Sequence, residues 1–169
     1  MRRLLLTTIA LGLMLSCSNK AVNTGGTGYG FEGKRIYQVA VFPVLVRGSA
    51  TPDDSQRDTL YTHLEDRLLE TGRFELVDRV LVEFEADSPG ALSPDDARQA
   101  GKKLGADVVC LSSLTLEKAS PPLVLAKVDI LPVEGKSPSY TGSGRAGDPD
   151  DWLAAARLAL DSATAGIVK

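Results

Sequence analysis

Hydrophobic and polar positions along this chain repeat with periods that change several times, and each period predicts a strand or a helix. Residues 36–46, IYQVAVFPVLV, are β-branched and largely apolar, which is typical of a buried strand. Pro43 stands near the end of this run and has no amide hydrogen, so it predicts a bulge or a local loss of pairing. We therefore expect a buried strand that is interrupted near Pro43.

The next segment, from about Asp53 to Thr71, has the period of an amphipathic helix. Three of its apolar residues lie four apart and two more flank them, which predicts one apolar stripe: Leu60, Leu64, Leu68, Tyr61 and Leu69. Gly72 follows directly and is well placed to end the helix. His63 lies off the stripe, so we expect a solvated side chain with no metal or catalytic role.

The rest of the chain predicts further strands and helices in alternation. Residues 80–86 are ambiguous, with a short helix as one interpretation. The remaining predicted strands are 73–78, 107–117, 123–133 and 139–143, and the remaining predicted helices are 93–104 and 150–168. The order β-α-β-(α)-α-β-β-β-α predicts an α/β fold, with a mixed β-sheet of about four to five strands packed by about three helices.

Three predicted helices begin with the same tripeptide, Pro-Asp-Asp, at residues 52–54, 94–96 and 149–151. Proline fits the first turn of a helix, and carboxylates there accept hydrogen bonds from free amides and oppose the positive end of the helix dipole. Paired aspartates also suggest calcium, but their spacing does not match an EF-hand and no glycine–glutamate loop follows. We therefore interpret the aspartates as helix caps.

The N-terminal residues have the layout of a secretory signal. Arg2 and Arg3 are basic, residues 4–15 are largely apolar, and Ser16 precedes Cys17. The apolar run is shorter than the roughly 20 residues that span a bilayer. The segment resembles bacterial lipobox sequences, which implies cleavage before Cys17, a diacylglycerol on its sulfur, and acylation of the new N-terminus, for example by palmitate. An ordinary signal peptide or a simple N-terminal anchor is the alternative.

These features divide the chain into three parts. Residues 1–16 are a predicted lipoprotein signal peptide, residues 17–34 a lipidated cysteine with a flexible tether, and residues 35–169 a single α/β domain. The tether is predicted because residues 18–34 are rich in Gly, Ser, Thr and Asn and lack apolar periodicity. Its run GTGYG at 26–30 is not a phosphate loop, because no predicted strand precedes it and no Gly-Lys-Ser/Thr closes it.

Charge and cysteine content narrow the function classes. The full chain has a formal charge of −3, and loss of Arg2 and Arg3 leaves 17 basic against 22 acidic residues, a charge of −5. That balance argues against a nucleic-acid partner and against electrostatic docking on anionic lipid. A lipidated Cys17 could not form a disulfide, and Cys110 lies in the apolar run VVCL, which predicts a buried thiol. We expect no metal or cofactor.

Four stretches carry a family resemblance: VAVFPVLV at 39–46, LEDRLLETGRFELVDR at 64–79, AGKKLGADVVCLSSL at 100–114, and KVDILPVEGKSPSYTGSG at 127–144. An apolar strand near Phe-Pro is followed by a helix running into Gly-Arg-Phe and then by a Leu-Gly-Ala-Asp turn. The last stretch ends a hairpin with Gly-x-Gly. This arrangement resembles the superfamily around the curli-secretion lipoprotein (CsgG-like). The superfamily also includes the outer-membrane activator of penicillin-binding proteins and the N-terminal domain of the TolB translocation protein.

The resemblance implies an α/β envelope domain that acts by protein–protein contact and not by catalysis. Because Ser18 and not Asp follows the cysteine, it also implies an outer-membrane lipoprotein on the periplasmic face, with surface exposure left open. The connections after Val77 and Glu117 are too short for the membrane hairpins of the curli channel, so we do not expect a pore.

Taken together, these patterns predict a lipid-anchored periplasmic module that binds a protein of an envelope machine. The machine would serve cell-wall synthesis, secretion or flagellar assembly, and membrane lipid would be a partner through acylated Cys17. The alternative is a self-assembling export or structural component, which leaves a homo-oligomer open. We do not expect an enzyme, because the sequence offers no recognisable combination of nucleophile, base and oxyanion or metal site.

Overall fold

A computed structural model of the chain describes residues 22–31, 35–49, 51–86, 92–117, 123–135, 138–148 and 151–167. Its strands are β1 (Val22–Tyr29), β2 (Tyr37–Val41), β3 (Leu45–Gly48), β4 (Phe74–Leu76), β5 (Val108–Glu117), β6 (Leu123–Pro132) and β7 (Ser139–Gly147). Its helices are α1 (Asp54–Glu70), α2 (Arg79–Glu85), α3 (Pro94–Lys103) and α4 (Trp152–Thr164). The strands form one mixed sheet and the helices pack on it, so the predicted α/β class is confirmed.

The sheet is larger than the predicted four to five strands. Over the described residues it has seven, in the order β1-β7-β6-β5-β2-β4, with β3 also paired to β5. β2 and β3 both run parallel to β5, whereas β5, β6, β7 and β1 pair antiparallel. Pro43 lies between β2 and β3, so the predicted interruption is confirmed and turns one expected strand into two.

The additional strand at the N-terminal side lies in the segment predicted to be a flexible tether. That prediction is wrong for Val22–Tyr29, which form β1 and pair with β7, for example through Thr27 and Thr141. The strand gave no sequence signal because its glycines remove the apolar alternation that marks a half-buried strand. Residues 17–21 and 32–34 of the predicted tether lie outside the described residues.

Glycines in β1 and β7 allow close packing on the sheet. A Cβ atom at Gly26 would collide with the phenol of Tyr140, whose hydroxyl donates to the Ala163 carbonyl at 2.5 Å. A Cβ atom at Gly144 would collide with the Ala159 carbonyl of α4. The Gly-x-Gly of residues 142–144 is therefore a packing motif that lets helix backbone rest directly on strand backbone.

The helices cover both faces of the sheet and bury two hydrophobic clusters. The larger cluster lies under α1 and α4 and includes the three leucines of the predicted stripe: Leu60, Leu64 and Leu68. Leu69 is 45% exposed, so the stripe is narrower than predicted. The smaller cluster lies under α2 and α3, and its buried members are Ala40, Phe42, Val82, Ala86, Ala97, Ala100, Ala106 and Val109.

The helix ends follow the predicted capping chemistry. Asp53 forms a reciprocal capping box with Gln56, Ser93 accepts from the Asp96 amide ahead of Pro94, and Asp151 caps α4. The glycines that follow α1 and α3 have φ angles of 65° and 71°, which suits glycine after a helix: Gly72 and Gly105. Pro149 and Asp150 lie outside the described residues.

Candidate interaction surface

Helix α2 presents large apolar side chains to solvent. Val80 is 71% exposed, Leu81 53% and Phe84 81%. We call these three residues the α2 patch. Two other large apolar residues, Ile36 and Leu69, reach comparable exposure in the described part of the chain, and neither lies on α2. The patch is thus a local concentration of exposed apolar surface on a single short helix.

The opposite side of α2 is fixed to the fold. Val82 is fully buried in the smaller cluster with Ala40 and Phe42. Asp78 begins the helix by accepting a hydrogen bond from the Val80 amide at 2.8 Å. Glu85 forms an ion pair with Lys103 at 2.8 Å, which joins the end of α2 to α3. A helix of seven residues is not stable alone, so these contacts hold it in place.

Arg79 joins α2 to α1. Its guanidinium lies 2.5 Å from a carboxylate oxygen of Asp58 and 2.8 Å from one of Glu83. The same group lies 4.1 Å from the centre of the Tyr61 ring, within cation–π distance. The Tyr61 hydroxyl in turn donates to the Val41 carbonyl. Asp78 and Arg79, which end the stretch LEDRLLETGRFELVDR, therefore have structural roles. Asp78 caps α2, and Arg79 attaches α2 to α1.

Carboxylates outnumber the single guanidinium at this junction. Burial raises the pKa of the Glu65 carboxyl, Arg79 lowers it, and Asp66, Asp58 and Glu83 raise it through their negative charge. The negative charges of three carboxylates thus act on Glu65 beside one arginine. Over residues 53–86, ten acidic and four basic residues give a net charge of −6. The rest of the chain has 15 basic and 12 acidic residues, so the negative charge is concentrated in this segment, which includes α1 and α2.

A polar cleft of about 280 Å³ lies next to the Leu-Gly-Ala-Asp turn. Two cations face it, and each has a carboxylate partner at 2.8 Å: Arg35 pairs with Asp107, and Lys102 with Glu134. Asp107 also accepts from the Gln38 amide at 3.1 Å. The charged groups at this cleft are therefore paired within the fold. Asp107 of the Leu-Gly-Ala-Asp turn has a structural role, because it connects the start of β5 to Gln38 of β2.

The Gly-Arg-Phe motif secures the chain segment after β1. Arg73 donates to the Phe31 carbonyl, and the Phe31 ring packs edge-on against Phe74 with centroids 5.7 Å apart. Tyr37 adds a second edge-on contact at 5.9 Å and donates to the Gly30 carbonyl at 3.1 Å. This motif is also structural, since it holds the connection from β1 to β2 against β4.

Two residues with catalytic potential are engaged in the fold. Cys110 is fully buried as predicted, and burial raises the pKa of its thiol to about 12.

The prediction of a solvated His63 is wrong. The His63 side chain is 15% exposed, and its Nε2 atom lies 2.9 Å from Asp161 of α4, so it joins α1 to α4. The sequence pattern could not show this, because the partner is distant along the chain.

Cys17, the predicted lipidation site, lies outside the described residues. Each helix in the described ranges is too short or too polar to cross a membrane. Within the same ranges, no three or more His, Cys, Asp or Glu side chains are grouped so as to hold a metal ion. The α2 patch is therefore the candidate functional surface, and sequence reasoning left this segment ambiguous.

The chain resembles solved structures in its fold, but its sequence identity to them is low. No family model and no curated protein matches the chain. A PelC dodecamer from Paraburkholderia phytofirmans matches with a TM-score of 0.52 at 14% identity, over 89% of this chain and 96% of that chain. The LpoB C-terminal domain from Salmonella enterica has a TM-score of 0.54 at 17% identity, over 69% and 87%. Lipoprotein GNA1162 from Neisseria meningitidis has a TM-score of 0.50 at 18% identity, over 67% and 81%.

At these identities the likeness concerns the fold. The chain shares an α/β fold with lipoprotein GNA1162 and with the LpoB C-terminal domain, which is the fold class that the predicted resemblance implies. The curli-secretion and TolB parts of that resemblance stay predictions.

Proposed function

We propose that this chain is a lipid-anchored protein-interaction module of the bacterial envelope, held by acylated Cys17 at the outer membrane and facing the periplasm. It binds a protein of an envelope machine, such as one for cell-wall synthesis, and regulates or positions that protein without catalysing a reaction. The observation that carries the proposal is the α2 patch, since exposed apolar side chains on a rigidly held helix are typical of a protein-binding surface.

Four further features support this role. The lipobox-like segment ends at Cys17, and the folds of lipoprotein GNA1162 and of the LpoB C-terminal domain resemble that of this chain. The thiol of Cys110 is fully buried, which makes it a poor nucleophile, and the imidazole of His63 lies against Asp161, where it joins α1 to α4. Arg73, Arg79 and Asp107, which belong to the motifs that carry the family resemblance, form hydrogen bonds or ion pairs within the fold.

The chain between anchor and sheet is short. Four residues separate Cys17 from Val22, the first residue of β1, so even a fully extended chain spans only about 18 Å. An acylated Cys17 would therefore keep the domain close to the membrane. A partner in or near the same membrane fits this reach better than one across the periplasm.

The anchor is tested by mass spectrometry of the membrane-extracted protein, with Cys17→Ala as the matched variant. The proposal expects a mature N-terminus at residue 17 carrying acyl mass, and an unprocessed or soluble Cys17→Ala protein because the acceptor sulfur is missing. A mature N-terminus without acyl mass, or a processed variant retained in the membrane, would contradict the anchor.

The interaction role is tested by chemical crosslinking in cells, followed by purification of the chain and identification of attached proteins. We expect one specific envelope protein to be recovered with the wild-type chain and to be lost with the mislocalised Cys17→Ala variant. Recovery of only abundant, non-specific proteins at equal yield from both strains would contradict the role.

A second candidate function is a self-assembling structural or export component. The likeness to the PelC dodecamer favours it, because that match includes nearly all of both chains. The two candidates differ in size in mild detergent. A ring of many copies, seen by light scattering coupled to chromatography, would support self-assembly, whereas a monomer would support the adaptor role.

A further inference from the structure

We propose that the α2 patch, formed by Val80, Leu81 and Phe84, is the docking surface for a protein segment with apolar side chains bordered by lysine or arginine. The inference rests on the proposed function, because it names the surface and the partner chemistry of that module. The contacts that hold α2, the charge at its junction with α1 and the sheet topology support it.

The apolar part of the surface is large for a seven-residue helix. Val80 and Phe84 are four residues apart, so they lie on the same side of α2, and Leu81 is adjacent. More than half of each of these side chains is exposed to solvent. Burying an aromatic ring with two aliphatic neighbours is the kind of contact that dominates binding energy at protein interfaces.

The surface is preorganised for binding. Val82 anchors the opposite face of α2, Arg79 attaches it to α1, and Glu85 attaches it to α3. A rigid apolar surface loses little conformational entropy when a partner binds. The fold thus stabilises a helix whose largest apolar side chains contribute little to its own core.

The charge beside the patch specifies the partner. Asp58 and Glu83 both pair with the guanidinium of Arg79, and the charges of these groups and of Asp66 act on Glu65, so negative charge is in excess at the junction of α1 and α2. Electrostatic complementarity at an interface favours opposite charges at its rim and repels like charges. The partner segment should therefore carry lysine or arginine around the apolar side chains that contact Phe84.

A lipid surface fits these observations less well. Anionic headgroups would be repelled by the same carboxylates. The topology also separates α2 from the anchor: α2 packs over β2, whereas the anchored strand is β1, and β7, β6 and β5 lie between them. Four strand spacings of about 4.8 Å place the two roughly 19 Å apart across the sheet.

A second copy of the chain also fits less well. A two-fold dimer through the α2 patch would bring the same surface of both copies together. The two sets of carboxylates would then face each other, which opposes association. The structure therefore favours a basic partner of different sequence over the acidic chain itself.

The test measures binding of a defined probe to the full-length protein in detergent solution. The probe is a fluorescent amphipathic helical peptide of leucine and lysine, and its counterpart has glutamate in place of lysine. We expect the lysine peptide to bind, the glutamate peptide to bind at least about tenfold more weakly, and binding to weaken with salt. Phe84→Ser should weaken binding about tenfold or more, whereas Ile36→Ser, an exposed apolar control outside α2, should not.

The proposal would be overturned if both peptides bound with equal affinity. It would also be overturned if Phe84→Ser and Ile36→Ser reduced the affinity for the lysine peptide equally. Two alternative occupants are tested with the same protein. Greater quenching of a Phe84→Trp variant than of the wild-type protein, whose Trp152 is the control, by brominated phospholipids in vesicles would assign the surface to the membrane. Concentration-dependent self-association abolished by Phe84→Ser would assign it to a second copy. Either result overturns the inference while leaving the crosslinking test of the proposed function unaffected.

Discussion

At the scale of single residues, glycines determine how closely α4 and Tyr140 approach the sheet. Gly142 and Gly144 face backbone atoms of α4, and Gly26 and Gly28 face the Tyr140 ring. A methyl group at these positions would meet atoms that are fixed in the fold. Motifs that look like loops or linkers in the sequence are therefore contact points in the structure.

Gly144→Ala should destabilise the protein by about 1–3 kcal/mol, because its Cβ atom would collide with the Ala159 carbonyl and displace α4. Thr115→Ala, an exposed substitution on β5, is the control and should change the free energy of unfolding by about 0.5 kcal/mol or less. Urea unfolding followed by circular dichroism measures both. Equal stability of the two variants would contradict the close packing of α4.

Cys110 gives the stability a specific dependence on alkaline pH. Its thiol has a pKa raised from 9.0 to about 12 by burial, so the folded protein holds this proton more tightly than the unfolded chain. The resulting stability is present below pH 9 and is lost as pH rises towards 12. The difference in free energy of unfolding between wild type and Cys110→Ala should therefore shrink over this range. A constant difference from pH 8 to pH 11 would contradict a buried, protonated thiol.

At the scale of elements, apolar periodicity predicted the elements that bury a continuous face, missed β1 and left α2 ambiguous. The helix around Leu64 and the strand around Cys110 have clear patterns because each buries a continuous face. β1 was missed because glycine hides alternation, and α2 stayed ambiguous because its apolar residues do not all face the core. The α2 patch could not be predicted, since its exposure depends on which side of α2 the sheet covers.

The two leucines Leu64 and Leu69 test which face of α1 is buried. Leu64 is fully buried in the larger cluster, whereas Leu69 is 45% exposed. Leu64→Ala should cost about 2–5 kcal/mol through lost burial and the cavity left behind, and Leu69→Ala should cost much less. Chemical denaturation of both variants measures the difference. A larger loss for Leu69→Ala would place the buried face of the helix elsewhere.

At the scale of the whole molecule, the N-terminal strand β1 and the α2 patch lie towards opposite edges of the sheet. β1, which follows Cys17 in the chain, forms one edge, and α2 lies over β2 near the edge formed by β4. If Cys17 is acylated as we propose, the module would be attached near one edge of the sheet and would bind its partner near the other.

Site-specific photo-crosslinking in living cells tests the central claim most directly. A photoreactive amino acid replaces Phe84 in one strain and Thr115, on the exposed side of β5, in a second strain. The account predicts a discrete crosslinked envelope protein from position 84, with lysine or arginine at its site of attachment, and none from position 115. A chain that forms no discrete protein adduct at position 84 in its native membrane would contradict the account.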